Sequence, residues 1–168
     1  MEAERLIAVG RHALAQSRAA LEIVAEAWQA QALAQAVGSH LAVRGPLELR
    51  GEARALSEIG GGRGVMDHPV LRTGVPRAAQ LTEVADVRTA LNALSALLGE
   101  VGIALVGVAC DTDEEGLYWQ CIEAIDAADE SNDRVRGMLR RLTVRERGRP
   151  PDAARGRADP ADSPAGPS

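Results

Sequence analysis

The sequence predicts an all-α fold, an antiparallel helical bundle of three long helices and one short helix. Ala and Leu are abundant and only three residues are aromatic, which disfavours a β-sandwich or barrel and favours helices. Two long stretches place apolar residues at alternating spacings of three and four, the pattern of a helix with one apolar face. The connection between these stretches is short, so the two helices are expected to be antiparallel neighbours.

Two predicted helices precede residue 60. A long first helix spans residues 3–37, and Gly38 is expected to end it, because glycine is common just after a helix C-terminus. Its apolar face carries Ile7, Leu14, Leu21, Val24 and Trp28. Pro46 then opens a shorter helix that continues through Ile59, since proline fits the first helical turn.

Two apolar seams define the remaining two helices, one between residues 77 and 109 and one within residues 113–147. The first seam consists of Val84, Val87, Leu91, Leu94, Leu98, Val101, Leu105 and Val108. The second consists of Tyr118, Cys121, Ile125, Ala128, Asn132, Val135, Leu139 and Leu142. Asn132 is a polar member, and a single buried amide at such a position often fixes the register of two helices.

Residues 110–116 connect the two seams and are rich in carboxylates. Thr112 and Glu115 have the spacing of a capping box, which predicts that the last helix begins near Asp113. The acidic half of this helix precedes its basic half, the order that the helix dipole favours.

Two segments are expected to lie outside the helices. Residues 60–76 are rich in glycine and are predicted to form a long loop. Residues 148–168 hold five of the eight prolines and few apolar side chains, so burial cannot offset the entropy lost on ordering them. The sequence thus predicts a bundle domain, residues 1–147, followed by a disordered tail, residues 148–168.

The cysteines and the N-terminus indicate a cytoplasmic protein. Cys110 and Cys121 are expected to lie about 13 Å apart along a helix, whereas a disulfide requires Cα atoms within roughly 7 Å. Two unpaired thiols suit a reducing compartment. The first residues also lack the basic leader and apolar run of a secretory signal.

Motifs for catalysis and metal binding are incomplete. The sequence has no Gly-x-Ser-x-Gly, no Glu-x-x-His and no Cys-x-x-Cys. The run from Asp111 to Gly116 resembles the start of an EF-hand loop, but the twelfth position is Ile122 instead of a bidentate glutamate. The sequence therefore predicts no enzyme activity and no cofactor or metal.

A pocket near Trp28, His40 and His68 is an alternative hypothesis. An indole, an imidazole and the loop of residues 60–76 as a mobile lid would suit a small-ligand carrier or an enzyme. Core packing is the simpler interpretation of Trp28, because aromatic side chains at helical spacing usually fill a core.

Arginines at the end of the last helix form a candidate interaction surface. Residues 134–149 hold seven arginines and one glutamate. The candidate residues are Arg134, Arg136, Arg140, Arg141, Arg145 and Arg147. They predict either an acidic protein partner or, as an alternative function, nucleic-acid phosphates. Against nucleic acid, the whole chain has a net charge of −5.

A membrane span over residues 89–110 is a further alternative, because this stretch carries only one formal charge, Glu100. An unpaired acid near the middle of a span costs several kcal/mol on insertion scales, roughly 3 kcal/mol for Asp at a helix centre. The uninterrupted seam explains the same residues as the most buried helix of a soluble bundle, covered on two sides.

Four segments of the chain resemble an uncharacterised family of small actinobacterial, streptomycete-like proteins. They are residues 26–32 (EAWQAQA), 38–41 (GSHL), 50–56 (RGEARAL) and 118–120 (YWQ). The resemblance covers residues 1 to about 147. It implies an actinobacterial source and carries no known chemistry, so no site residue follows from it.

Together these observations predict a cytoplasmic, non-enzymatic helical bundle that acts as a protein-interaction or regulatory module. Its partner is an unknown protein or a second copy of the chain. Self-association is expected through the last helix, whose acidic and basic halves would complement each other in an antiparallel pair.

Overall fold

Five α-helices make up the computed structural model, which describes residues 1–59 and 75–148. They are α1 (Ala3–Gln16), α2 (Ala20–Arg44), α3 (Arg50–Glu58), α4 (Val87–Asp111) and α5 (Glu115–Arg147). Short 3₁₀ turns precede α3 and α4, at Leu47–Leu49 and Arg77–Gln80. No strand occurs in these ranges, and the predicted all-α class is confirmed. Most of the predicted 60–76 loop and the tail from residue 149 lie outside the described residues.

The predicted hairpin of two long helices is formed by α4 and α5, which pack against each other along most of their length. Their antiparallel register is fixed near the middle by Ser95, whose hydroxyl donates to Oδ1 of Asn132 at 2.7 Å. Near one end, Arg88 pairs with Glu146 at 2.9 Å. Asn132 therefore has the partner that its polar seam position required.

A break at residues 17–19 makes the predicted first helix, residues 3–37, wrong. The backbone of Ser17 and Ala19 is extended, so the chain leaves α1 and enters α2 in a new direction. The Glu22 carboxylate accepts hydrogen bonds from the backbone amides of Arg18 and Ala19, which stabilises the start of α2. Glycine and proline are absent from this break, so the sequence pattern gave no stop signal.

Gly38 does not end a helix, contrary to the prediction, because α2 continues to Arg44. A Cβ atom at Gly38 would lie 2.8 Å from both the carbonyl oxygen of Ala53 and the amide nitrogen of Ser57. The glycine is needed because the backbone of α3 crosses α2 at this point. The short helix predicted through Ile59 is the 3₁₀ turn followed by α3.

Two predicted helix starts are also corrected. Val84, the first residue of the first seam, lies between a 3₁₀ turn and the helix, and α4 itself begins at Val87, where Asp86 accepts a hydrogen bond from the Thr89 amide at 2.8 Å. The last helix begins at Glu115, and Thr112 accepts from the Glu114 amide instead of capping the helix. At the start of the second seam, Tyr118 is 40% exposed and lies outside the core.

The four longer helices share one core and alternate in direction along the chain, so that two neighbouring pairs, α1 with α4 and α2 with α5, are parallel. Contacts of Ala3 with Glu83 and of Arg11 with Glu100 show that α1 runs parallel to α4. The other two, α2 and α5, run the opposite way, and a buried hydrogen bond of 2.9 Å joins Gln31 Nε2 on α2 to Ser131 Oγ on α5. The inner side of α4 packs against α2, and its two flanks pack against α1 and α5.

Candidate functional site

Three of the six arginines in the predicted interaction surface form ion pairs within the chain. Arg134 and Arg141 both approach Glu52 on α3, at 3.3 and 3.6 Å, and Arg145 approaches Glu48 at 3.8 Å. These side chains dock the end of α5 onto α3. Their charge is partly neutralised, which reduces what remains for an outside partner.

The other three arginines, at positions 136, 140 and 147, form no ion pair within the part of the chain that the structure describes. All three residues are exposed. Arg140 lines an open groove of about 500 Å³ together with Glu48, Glu52, Gly137, Arg141, Val144 and Arg145. Because both carboxylate and guanidinium groups line this groove, its surface has mixed charge.

The residues of the predicted pocket are not brought together. Trp28 is 6% exposed and belongs to the core, as the simpler interpretation held. His40 is half-buried and lies twelve residues further along α2, a separation of about 18 Å along the helix axis. His68 lies outside the described residues.

An uncharged, mostly apolar surface runs along α4 on the side opposite its core seam, partly or fully exposed, and we call it the α4 outer face. It consists of Asn92, Ala96, Gly99, Ile103, Val106 and Cys110. The spacings between these residues alternate four and three, so they lie on one line along the helix. Ile103 is 78% exposed and Val106 is 49% exposed. None of the six residues is charged.

The exposed positions of α5 provide a comparison within the same molecule. They carry mainly charged side chains, among them Glu123, Asp126, Asp129, Glu130, Asp133 and Arg136. A solvated helix face normally looks like that of α5. As predicted, α4 faces partners on two sides, α1 and α5, and the structure leaves the outer face between them open. The absence of charged residues along the α4 outer face is the feature of the sequence from which this surface could have been predicted.

Ile103 forms a ridge between two open grooves. One groove, of about 600 Å³, lies between α4 and α1 and is lined by Ala8, Arg11, His12, Leu14, Ala15, Glu100, Ile103 and Ala104. The other, of about 340 Å³, lies between α4 and α5 and is lined by Leu98, Gly99, Gly102, Ile103, Val106, Ile125 and Asp129. Gly99, Gly102 and Gly107 have open space where a Cβ atom would stand.

The charge of Glu100, on the same helix as this surface, is neutralised by an ion pair. Arg11 Nε lies 3.1 and 3.0 Å from the two carboxylate oxygens of Glu100. Hydrogen bonds from Arg11 lower the pKa of Glu100 below its ordinary value, so the carboxylate stays ionised. The pair removes the net charge from the side of the outer face.

The two cysteines differ in environment, and neither is in a disulfide. Cys110 is exposed on the outer face. Cys121 is fully buried in the core, and burial raises the pKa of its thiol. Only Cys110 is therefore open to reagents from solvent.

By length and composition, Val87–Asp111 could also cross a membrane, and 33% of its most apolar stretch is buried in the bundle. A core helix of a soluble protein passes the same test. Among the residues at 1–59 and 75–148, no group of three or more His, Cys, Asp or Glu side chains could hold a metal ion.

The residues that the structure describes form an all-α helical bundle in which the α4 outer face is uncharged and open to solvent. The chain belongs to DUF6099, a family of unknown function whose model matches residues 1–141. No curated protein matches the chain, and no solved structure matches it. The predicted resemblance to an uncharacterised family is confirmed, and the actinobacterial source stays a prediction.

Proposed function

We propose that this protein is a non-enzymatic protein-interaction module and that its binding surface is the α4 outer face. The observation that carries the proposal is the exposure of Ile103 and Val106 on a helix face without charge. The same chain places charged residues on the exposed face of α5. Such a difference is typical of a surface that a partner covers.

The shape of the surface supports this proposal. Burying an aliphatic side chain such as Ile103 stabilises a complex by about 1.5–3 kcal/mol before ordering costs. Gly99 and Gly102 allow another helix to approach closely, because no side chain stands between the backbones. The two grooves beside Ile103 can receive side chains of a partner, as in ridge-into-groove helix packing.

A photocrosslinking amino acid at position 103 tests the proposal in cells that express the chain. The matched control is position 144, because Val144 is also apolar, helical and 70% exposed. We expect covalent adducts to protein from position 103 and few from position 144. Equal yields at both positions, or adducts to lipid from position 103, would contradict the proposal.

Nucleic-acid binding through the end of α5 is a second candidate function. It is favoured by Arg136, Arg140 and Arg147, which are exposed and have no ion pair within the described residues. Retention on a DNA column that falls with rising salt would support it. Replacement of these three arginines by Gln would then abolish retention, whereas the same retention by wild type and variant would contradict it.

We also propose that the module acts in the cytoplasm. The support is the unpaired state of Cys110 and Cys121, which suits a reducing compartment. Cell fractionation with an antibody against the chain tests this point, and recovery in the membrane pellet after a salt wash would contradict it.

A further inference from the structure

We infer that the occupant of the α4 outer face is a second copy of this chain. The two α4 helices lie parallel, and a two-fold axis runs along their contact. This inference rests on the proposed function and adds the identity and the orientation of the partner.

The outer face is complementary to itself in shape. Ile103 is a ridge, and an open groove lies on each side of it along the same helix. In a two-fold pair, the ridge of each copy enters a groove of the other, so one patch serves both partners. Gly99, Gly102 and Gly107 let the two backbones approach closely.

The flanks of the outer face carry opposite charges. On one side, residues 5–18 of α1 and its following turn include three arginines and no carboxylate, and Arg5 and Arg11 are paired with Glu2 and Glu100, so this flank has only a small positive charge. On the other side, residues 115–133 of α5 include six carboxylates and no arginine. At the level of Ile103, the ion pair of Arg11 and Glu100 lines one groove and Asp129 lines the other.

This charge distribution selects the orientation of the pair. A two-fold axis along the helices sets the α1 flank of each copy against the α5 flank of the other, so each acidic flank meets a weakly basic one. An axis perpendicular to the helices sets like flanks against each other, with Asp129 of both copies on the same side. Like charges across an interface are unfavourable, so the parallel arrangement is the one that this surface fits.

The parallel arrangement brings identical residues together along the axis. Ile103 meets Ile103 of the second copy, and Cys110 meets Cys110 of the second copy. Cys110 lies on the outer face and is exposed in the single chain. Two such thiols can form a disulfide when the Cα atoms are within about 7 Å.

The first test is the mass of the purified full chain by light scattering over a range of concentrations. We expect twice the 17.7 kDa of one chain at high concentration. Ile103→Arg is expected to raise the dissociation constant at least about tenfold, and Val144→Arg to leave it unchanged. Because Ile103 and Val144 are both exposed, both variants should fold, which circular dichroism checks. A monomer at every concentration would overturn the inference.

The second test is oxidation by diamide, which accepts the two electrons and two protons that two thiols release on forming a disulfide. We expect a covalent dimer for the wild type and none for Cys110→Ser, because Cys121 is buried. A mixing experiment tests the antiparallel arrangement, which would place position 96 of one copy beside Cys110 of the other. Chains that carry both Ala96→Cys and Cys110→Ser are mixed with wild-type chains that a tag makes longer, so that the two kinds of chain differ in mass. Cross-linking between the two lengths, or no cross-linking of the wild type, would overturn the parallel arrangement.

Salt dependence provides an independent check of orientation. In the parallel arrangement, flanks of unlike charge attract each other, so added salt screens the attraction and weakens the dimer. In the antiparallel arrangement, flanks of like charge repel each other, so added salt strengthens the dimer. The photocrosslinking experiment separates this inference from the proposed function. Adducts from position 103 to a different protein alone would overturn the self-association and leave the interaction module standing, and equal adducts at positions 103 and 144 would overturn both.

Discussion

Arg11 on α1 holds the carboxylate of Glu100 on α4 in a two-pronged hydrogen bond, with Nε at 3.1 and 3.0 Å from the two oxygens. Glu100 is the one formal charge among residues 89–110. Its neutralisation leaves an apolar helix without net charge at the surface of the bundle. Because Arg11 is on α1, the packing of α1 against α4 neutralises the helix that carries the outer face.

Removal of the Arg11–Glu100 pair is expected to change fold stability only slightly. Both side chains are more than 40% exposed, and exposed pairs contribute at most about 1 kcal/mol. A double-mutant cycle of Arg11→Gln and Glu100→Gln, measured by urea unfolding, gives the coupling energy. A coupling much above 1 kcal/mol would show that the pair is less solvated than its exposure indicates.

The lowered pKa of Glu100 predicts a loss of stability in acid. A carboxyl whose pKa is lower in the folded chain stabilises it fully above the unfolded value, near 4.5, and loses this contribution as pH falls through the folded value. The unfolding free energy of the wild type should therefore fall more steeply below pH 4.5 than that of Glu100→Gln. Thermal unfolding of both proteins between pH 3 and 5 measures this difference. An unfolding free energy that depends equally on pH in the wild type and in Glu100→Gln would contradict the prediction.

Ser131 is expected to be important for stability because its hydroxyl bonds to the buried Gln31 amide. Ser131→Ala leaves a buried amide with poorer hydrogen bonding and should lower the unfolding free energy by about 1–3 kcal/mol. Ser57→Ala is the matched control, because that hydroxyl bonds locally to the Arg54 carbonyl near the surface. Urea midpoints that shift equally for both variants would contradict this role.

Gly38 is expected to tolerate no side chain. The Cβ atom of alanine would stand 2.8 Å from two backbone atoms of α3, so the two helices must separate, at about 1–3 kcal/mol. Gly51→Ala is the control, because nothing lies within 4 Å of its Cβ position, and it should be neutral or stabilise α3 by up to about 1 kcal/mol. Thermal unfolding compares them, and equal midpoints would show that α3 adjusts freely.

Cysteine reactivity is expected to differ between the two thiols. N-ethylmaleimide should modify Cys110 in the native chain and reach Cys121 only after unfolding, because Cys121 is buried and its thiol pKa is raised. Peptide mass spectrometry after timed labelling measures both rates. Rapid native labelling of Cys121 would mean that α5 opens near its first turns.

The sequence was sufficient to predict the hairpin of α4 and α5. Regular spacing of large side chains such as Leu98 and Leu105 identifies the buried face of α4, and both are at most 2% exposed. It also identified Asn132 as a residue that needs a partner, although the pattern could not show that the partner is Ser95. Periodicity reports which face is buried and says little about which residues meet.

The break between α1 and α2 and the role of Gly38 could not be predicted, because both depend on tertiary contacts. Residues 17–19 are helix-compatible in type, and the extended backbone there is stabilised by Glu22 from the following helix. Gly38 signals a helix end by propensity, but the close approach of α3 is what requires it. The outer face was hidden for a similar reason, since apolar residues on both sides of α4 also fit a fully buried helix.

Radical footprinting of the native chain is the most direct test that the α4 outer face is covered by a partner. Ile103 and Val144 are 78% and 70% exposed in the single chain and have similar aliphatic side chains. If the outer face is a binding surface, Ile103 should be labelled several-fold less than Val144 under conditions where the partner is present. Equal labelling of the two side chains would contradict the account.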